Sequence, residues 1–197
     1  VGPQTLTANI TPKPITISAG LTADNKVYDA TTAATISVTG TQTLSGVLSA
    51  DTANVSVTSS GPYAGAFVQS NVGTGITVAP STSGTVIAGG SYNAMTGVTL
   101  GGTAADNYYV TGTSSTLAAN ITPYIITPGA TTGPAITAVA DNKVYTSTTA
   151  ANGTLAMVNL FGTDSVSISY TGATFASPNV ANGITVTFAG AALSGPS

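Results

Sequence analysis

The most reactive side chains in this chain are three lysines, Lys13, Lys26 and Lys143, and six aspartates. Two of the lysines stand in matching contexts, Asp24-Asn25-Lys26-Val27-Tyr28 and Asp141-Asn142-Lys143-Val144-Tyr145. A lysine beside Asn and Asp in a β-rich chain can form a covalent Lys–Asn or Lys–Asp isopeptide bond. That chemistry needs a buried, neutral amine next to a carboxyl catalyst, and burial can depress a lysine pKa by several units. Lys26 and Lys143 are the candidates. The plainer reading of the same residues is a turn at Asp24-Asn25 and Asp141-Asn142 with an exposed Lys and a packed Tyr, because Asn and Asp side chains bond their own backbone in turns. Oxygen donors also invite calcium, but no run matches the D-x-[DN]-x-[DN]-G loop. Asp24 and Asp106 read as turn residues, and no metal or other cofactor is expected. Four N-x-[ST] sequons, at Asn9, Asn54, Asn120 and Asn152, mark candidate glycosylation sites.

The residues that are missing narrow the function further. The 197 residues contain no His, Cys, Trp, Arg or Glu. Zinc sites of the usual kind, thiol nucleophiles and Ser-His-Asp triads are therefore absent. No Asp pair is marked out for acid–base work, so no enzymatic activity is expected. A net charge of -3 with three cations cannot neutralise a phosphate backbone, which argues against nucleic acid as a partner. No run of 18 apolar residues spans a membrane, and no charged-then-apolar start marks a signal peptide, so the chain reads as a mature or excised piece. Few charges and many hydroxyls suit an extracellular, cell-surface location.

Thr, Val, Ile and Tyr favour pleated, half-buried surfaces, while good helix formers other than Ala are scarce, so the composition is all-β. Three blocks recur in order. ADNKVYDATTAA from Ala23 returns as ADNKVYTSTTAA from Ala140, an offset of 117. NVGTGITV from Asn71 returns as NVANGITV from Asn179, an offset of 108. LTANITPKPITIS from Leu6 returns as LAANITPYIITPG from Leu117, an offset of 111. Ordered blocks at nearly constant offset are a tandem repeat, with loop insertions absorbing the differences.

Alternation and turn punctuation place strands at 6–11, 15–18, 34–38, 54–58, 75–79, 85–88, 97–100, 108–111, 116–121, 125–127, 135–138, 154–158, 165–170 and 183–188. Turn clusters fall at 59–62, 88–91 and 127–129. Short strands with frequent turns predict two tandem Ig-like, Greek-key β-sandwich domains. The expected organisation is an N-terminal strand and linker at 1–13, a first repeat domain at 14–123 and a second at 124–197, with Ile-Thr-Pro seams at 10–12 and 121–123. Core packing is the expected role of the eight Tyr residues, including the adjacent Tyr108 and Tyr109.

With these blocks in view, the chain resembles the YDG and MBG-type repeat domains of very large bacterial adhesins and filamentous-haemagglutinin-like exoproteins. The residues that carry the resemblance are Lys26-Val27-Tyr28-Asp29 with Ala30-Thr31-Thr32, Asn71-Val72-Gly73, Leu100 through Asn107-Tyr108, and Asn120-Ile121-Thr122-Pro123. The second copy departs where Thr146 stands in place of Asp29. The resemblance implies a secreted, repetitive, mostly β surface protein that extends or adheres, without catalysis.

The repeat phase adds one expectation. The second repeat stops near 192–197, matching only the region around Leu100, whereas the chain opens with a copy of the final strand of the first repeat. Residues Thr5, Leu6, Ala8, Ile10 and Thr11 are therefore a candidate donor strand that completes the second repeat of a neighbouring subunit or repeat. An inserted strand covers a bare sheet edge and fills a groove with alternate side chains. A contact of this kind does not close on itself, so head-to-tail copies form a filament. The alternative function is a ligand- or glycan-binding adhesin domain in one long monomeric exoprotein, with a surface or host glycan as partner.

Overall fold

The computed structural model describes residues 2–87 and 90–195. Val1, the Ala88–Gly89 part of the expected 88–91 turn, the last residue of the expected 85–88 strand, and Pro196–Ser197 of the tail lie outside the described residues. Among the described residues the chain is mostly β, with no α-helix and only two three-residue 3-10 turns. Contacts divide it into two compact units, Val1–Pro123 and Tyr124–Ser197.

Unit 1 contains β1 (Lys13–Ala23), β2 (Lys26–Val27), β3 (Ala33–Ser45), β4 (Ser56–Val57), β5 (Tyr63–Phe67), β6 (Gly73–Pro80), β7 (Thr82–Ile87), β8 (Gly90–Met95), β9 (Leu100–Gly101), β10 (Tyr108–Thr113) and β11 (Leu117–Thr122). Seven of these form one curled sheet in the order β10-β1-β3-β5-β6-β11-β2. β10 runs parallel to β1, and β2 parallel to β11, while the other neighbours are antiparallel. Curling brings β1 against β11 across the interior. Alternation does the rest, since side chains on a strand point to opposite faces. Ile15 and Ile17 of β1, Ile36 of β3, Tyr63 and Phe67 of β5, Ile76 and Val78 of β6, and Leu117, Ala119 and Ile121 of β11 meet in one core. Two tyrosines bury their rings and keep a polar tip satisfied. Tyr63 Oη donates at 2.9 Å to Gln42 or Ser59, and Tyr108 Oη donates to Asp51 Oδ2 at 2.7 Å while accepting from Leu48 N–H at 3.2 Å.

Unit 2 contains β12 (Thr127–Pro128), β13 (Ala135–Ala140), β14 (Ala150–Ala151), β15 (Gly153–Val158), β16 (Ser167–Ser169), β17 (Gly172–Phe175), β18 (Val186–Ala189) and β19 (Ala192–Ser194). Several of its pairings fall on residues equivalent to paired residues of unit 1, although β13 and β15 run without the register shifts found between β1 and β3. Leu21 faces Val38 and Ala138 faces Leu155; Phe67 faces Val78 and Phe175 faces Val186; Val57 faces Leu100 and Ile168 faces Leu193. So β13, β16, β17, β18 and β19 stand for β1, β4, β5, β6 and β9, and β14 and β15 together stand for β3. β12 runs parallel to β13 on the edge away from β15, the place that β10 takes beside β1. Among the described residues of unit 2, no strand corresponds to β2, the β7–β8 hairpin or β11.

The strand expected at 6–11 joins no ladder, and this corrects the sequence reading. Its sequence alternates as a strand should, but the place such a sequence takes in unit 1 is already held by β11. The strands expected at 54–58, 97–100, 125–127 and 165–170 shrink to the two or three residues that find partners, Ser56–Val57, Leu100–Gly101, Thr127–Pro128 and Ser167–Ser169.

Candidate strand-docking site

The last strand of unit 1 shows what the slot in this fold requires. β11 lies between β6 and β2, antiparallel to the first and parallel to the second. Leu117, Ala119 and Ile121 point inward and are 6%, 5% and 1% exposed. The β6 pairing is regular from Leu117–Val78 to Ala119–Ile76 and then slips by one residue before Ile121–Gly73. The slip is a bulge, in which an extra residue is left unpaired in the ladder and a glycine with positive φ is commonly found. Gly75 takes that role at φ 63°. Its N–H is satisfied by the Asn120 side-chain oxygen at 2.8 Å. On the opposite edge, Asn120 N–H donates to Asn25 Oδ1 at 2.7 Å, Tyr28 N–H donates to the Thr122 carbonyl at 2.9 Å, and Thr122 Oγ1 donates to the Lys26 carbonyl at 3.3 Å.

The corresponding groups recur in unit 2 without the strand. Offsets of 117 and 108 carry Asn25, Lys26 and Tyr28 to Asn142, Lys143 and Tyr145, and Gly75 to Gly183. Gly183 has φ 67°, the same bulge conformation. Asn142 Oδ1, the Lys143 carbonyl and the N–H groups of Tyr145 and Gly183 have no hydrogen-bond partner among the described residues. Between them opens a cavity of about 430 Å³ whose lining includes Asn142, Lys143, Tyr145, Phe175, Gly183 and Val186. Phe67, Ile76 and Val78 are buried, whereas their counterparts Phe175, Ile184 and Val186 are only half-buried. Val144 and Tyr145 are exposed.

The candidate donor residues Thr5, Leu6, Ala8, Ile10 and Thr11 all lie in exposed, unpaired backbone, with Leu6 92% and Ile10 97% exposed. Leu6, Ala8, Asn9, Ile10 and Thr11 match Leu117, Ala119, Asn120, Ile121 and Thr122.

Lys26 and Lys143 each fold back over a loop. Lys26 Nζ donates to the Thr31 carbonyl at 3.0 Å, Thr31 Oγ1 at 3.0 Å and the Ala33 carbonyl at 3.1 Å, lies 2.6 Å from Asp29 Oδ1, and sits 5.9 Å from the Phe67 ring centre. Lys143 Nζ donates to the Thr148 carbonyl at 2.7 Å, Thr148 Oγ1 at 3.3 Å and the Ala150 carbonyl at 2.8 Å, 5.5 Å from the Phe175 ring centre. Three oxygen acceptors and an aromatic face suit a charged ammonium. The conserved-in-repeat lysine is thus a loop clasp. Asp29 feels two opposed effects: desolvation raises its pKa, but hydrogen bonds from Lys26 and Thr31 outweigh it and hold the carboxyl below its usual value. Thr146 replaces that carboxylate in unit 2.

Of the sequons, Asn9, Asn54 and Asn152 are exposed, and Asn120 is half-buried with its side-chain oxygen committed to Gly75. The sequence reading gave Asn25 and Asn142 only a place in turns, and it did not single out Gly75, Gly183, Phe67 or Phe175. The recurring NVxxGITV and ADNKVY blocks contain four of the six, so the signal was the repeat itself.

Compared with known families, the chain matches the model of the YDG domain over residues 11–116 and again over 127–197. No curated protein and no solved structure matches it.

Proposed function

Because this chain belongs to the YDG domain family, we propose that it is a structural repeat module of an extracellular bacterial surface filament or adhesin. Its units serve as tandem sandwich repeats, and copies join head to tail by strand donation. Residues 5–11 of one copy enter the slot of unit 2 in the next, antiparallel to β18 and parallel to residues 143–144. The observation that supports this reading is the fit between the two halves. The slot repeats the bonding groups that hold β11, and the unpaired segment repeats the sequence of β11.

Magnitudes decide how much must come from the ladder. Burying Leu6 and Ile10 contributes about 3–6 kcal/mol together. Fixing the backbone costs about 1–2 kcal/mol per residue, which for a segment of this length exceeds that gain. Donation therefore depends on the paired backbone and on the polar groups at the rim, not on the apolar face alone. The near absence of charge fits a role in which no ligand chemistry is required.

The test is electron microscopy of the chain beside a variant lacking residues 1–11. Linear assemblies that need the segment are expected. Filaments of unchanged length and stability in the shortened variant would contradict strand donation.

A further inference from the structure

We infer that the slot of unit 2 is selective for a strand carrying asparagine at the position of Asn9, and that Gly183 and Asn142 read that residue from opposite edges. The inference rests on the strand-donation reading and adds the determinant of register and partner choice to it. The partner is an extended segment of a second copy with the pattern Leu-x-Ala-Asn-Ile-Thr.

A strand slipped by one residue turns its buried side chains to the solvent, so apolar alternation excludes odd slips. A slip by two keeps Leu, Ala and Ile on the inner face and is not excluded by alternation. Something else must fix the register, and in unit 1 it is Asn120. At the bulge the Gly75 N–H has lost its ladder partner, and only a side-chain acceptor at this one position reaches it, at 2.8 Å. The same residue donates its own N–H to Asn25 Oδ1 at 2.7 Å. Unit 2 repeats the reader completely. Gly183 holds the bulge conformation, which a side-chain-bearing residue adopts poorly, and Asn142 occupies the position of Asn25. With Asn9 in place, its side-chain oxygen accepts from Gly183 N–H and its backbone N–H donates to Asn142 Oδ1. A strand slipped by two presents Thr7 or Thr11 there instead, and Gly183 N–H loses the amide acceptor that Asn120 supplies to Gly75. The slipped register therefore forgoes the net contribution of that hydrogen bond.

The experiment uses the full chain carrying Ile10→Asp, so that its own segment does not compete. A fluorescent peptide of residues 4–12 is titrated with this chain, alongside peptides bearing Asn9→Ala or Thr7→Ala. Thr7 is the counterpart of the exposed Ala118. The expected result is saturable binding of the native peptide, unchanged binding of Thr7→Ala, and binding about tenfold weaker for Asn9→Ala. A photoreactive leucine at position 6 should attach next to Val186, and Asn9→Ala should spread the attachment to positions two residues away. If Asn9→Ala binds as tightly as the native peptide and in one register, the selectivity is overturned while strand donation stands. If both substitutions weaken binding equally, the selectivity is also overturned. If the native peptide shows no saturable binding, strand donation itself fails, and the inference fails with it.

Discussion

The side-chain oxygen of Asn120 accepts the backbone N–H of Gly75 at 2.8 Å, at the point where the β6–β11 ladder slips register. A single amide thus closes the gap that the bulge opens, and it does so between residues 45 positions apart. Replacing it by alanine removes this bond from an exposed N–H that water can reach, so Asn120→Ala should destabilise unit 1 by about 0.5–1.5 kcal/mol, the net contribution of one hydrogen bond. Urea unfolding monitored by tyrosine fluorescence measures this. A midpoint unchanged from the parent would show that water replaces the amide without cost.

Ile121 and Ile10 share a sequence context but not an environment, being 1% and 97% exposed. Ile121→Ala should cost about 2–5 kcal/mol, as large-to-small changes in a core do. Ile10→Ala should change the stability of the dilute chain by less than about 0.5 kcal/mol. At high concentration the same Ile10→Ala variant should lose a concentration-dependent gain in stability that the parent shows, because a partner that binds only the folded state stabilises it by mass action. Equal effects of Ile10→Ala at both concentrations would count against docking.

The Lys26 clasp predicts an acid response. The folded pKa of Asp29 lies below its ordinary value, so this carboxylate contributes stability that is fully present above the unfolded value, near 3.9, and is lost as pH falls through the folded value. Unfolding free energies measured from pH 5 to pH 2 should decline less steeply for Asp29→Asn than for the parent. Thr146→Asp, which supplies the missing carboxylate to Lys143, should add acid sensitivity to unit 2. Identical slopes for parent and Asp29→Asn would mean the ion pair is too exposed to contribute.

Much of the fold was legible because one-sided burial writes itself as alternation. Leu117, Ala119 and Ile121 read as one face of a strand, and the structure places all three in the core. β5 was not legible, since Tyr63-Ala64-Gly65-Ala66-Phe67 puts Gly65 on the inner face, where the Ile36 and Val78 side chains fill its space. A two-residue ladder such as β2 has too little pattern to detect, and it forms only because β11 supplies its partner. Residues 6–11 carry the same pattern as β11 yet stay unpaired, because pairing depends on an available edge and not on the strand alone. The slot was legible only as a mismatch in repeat phase; its bonding groups, Asn142 and Gly183, emerge from the geometry of Asn25 and Gly75.

Disulfide trapping between two chains tests the central claim most directly. The protein has no cysteine, so a single introduced thiol per chain reports one contact. Ala119 faces Ile76 in unit 1, which places Ala8 of a donor opposite Ile184 of its acceptor at a strand-pair spacing that a disulfide can span. Chains carrying Ala8→Cys and Ile184→Cys, mixed and mildly oxidised, should give a covalent heterodimer in high yield, with Leu193→Cys in place of Ile184→Cys as the off-slot control. A yield for Ile184→Cys no greater than for Leu193→Cys would contradict strand donation.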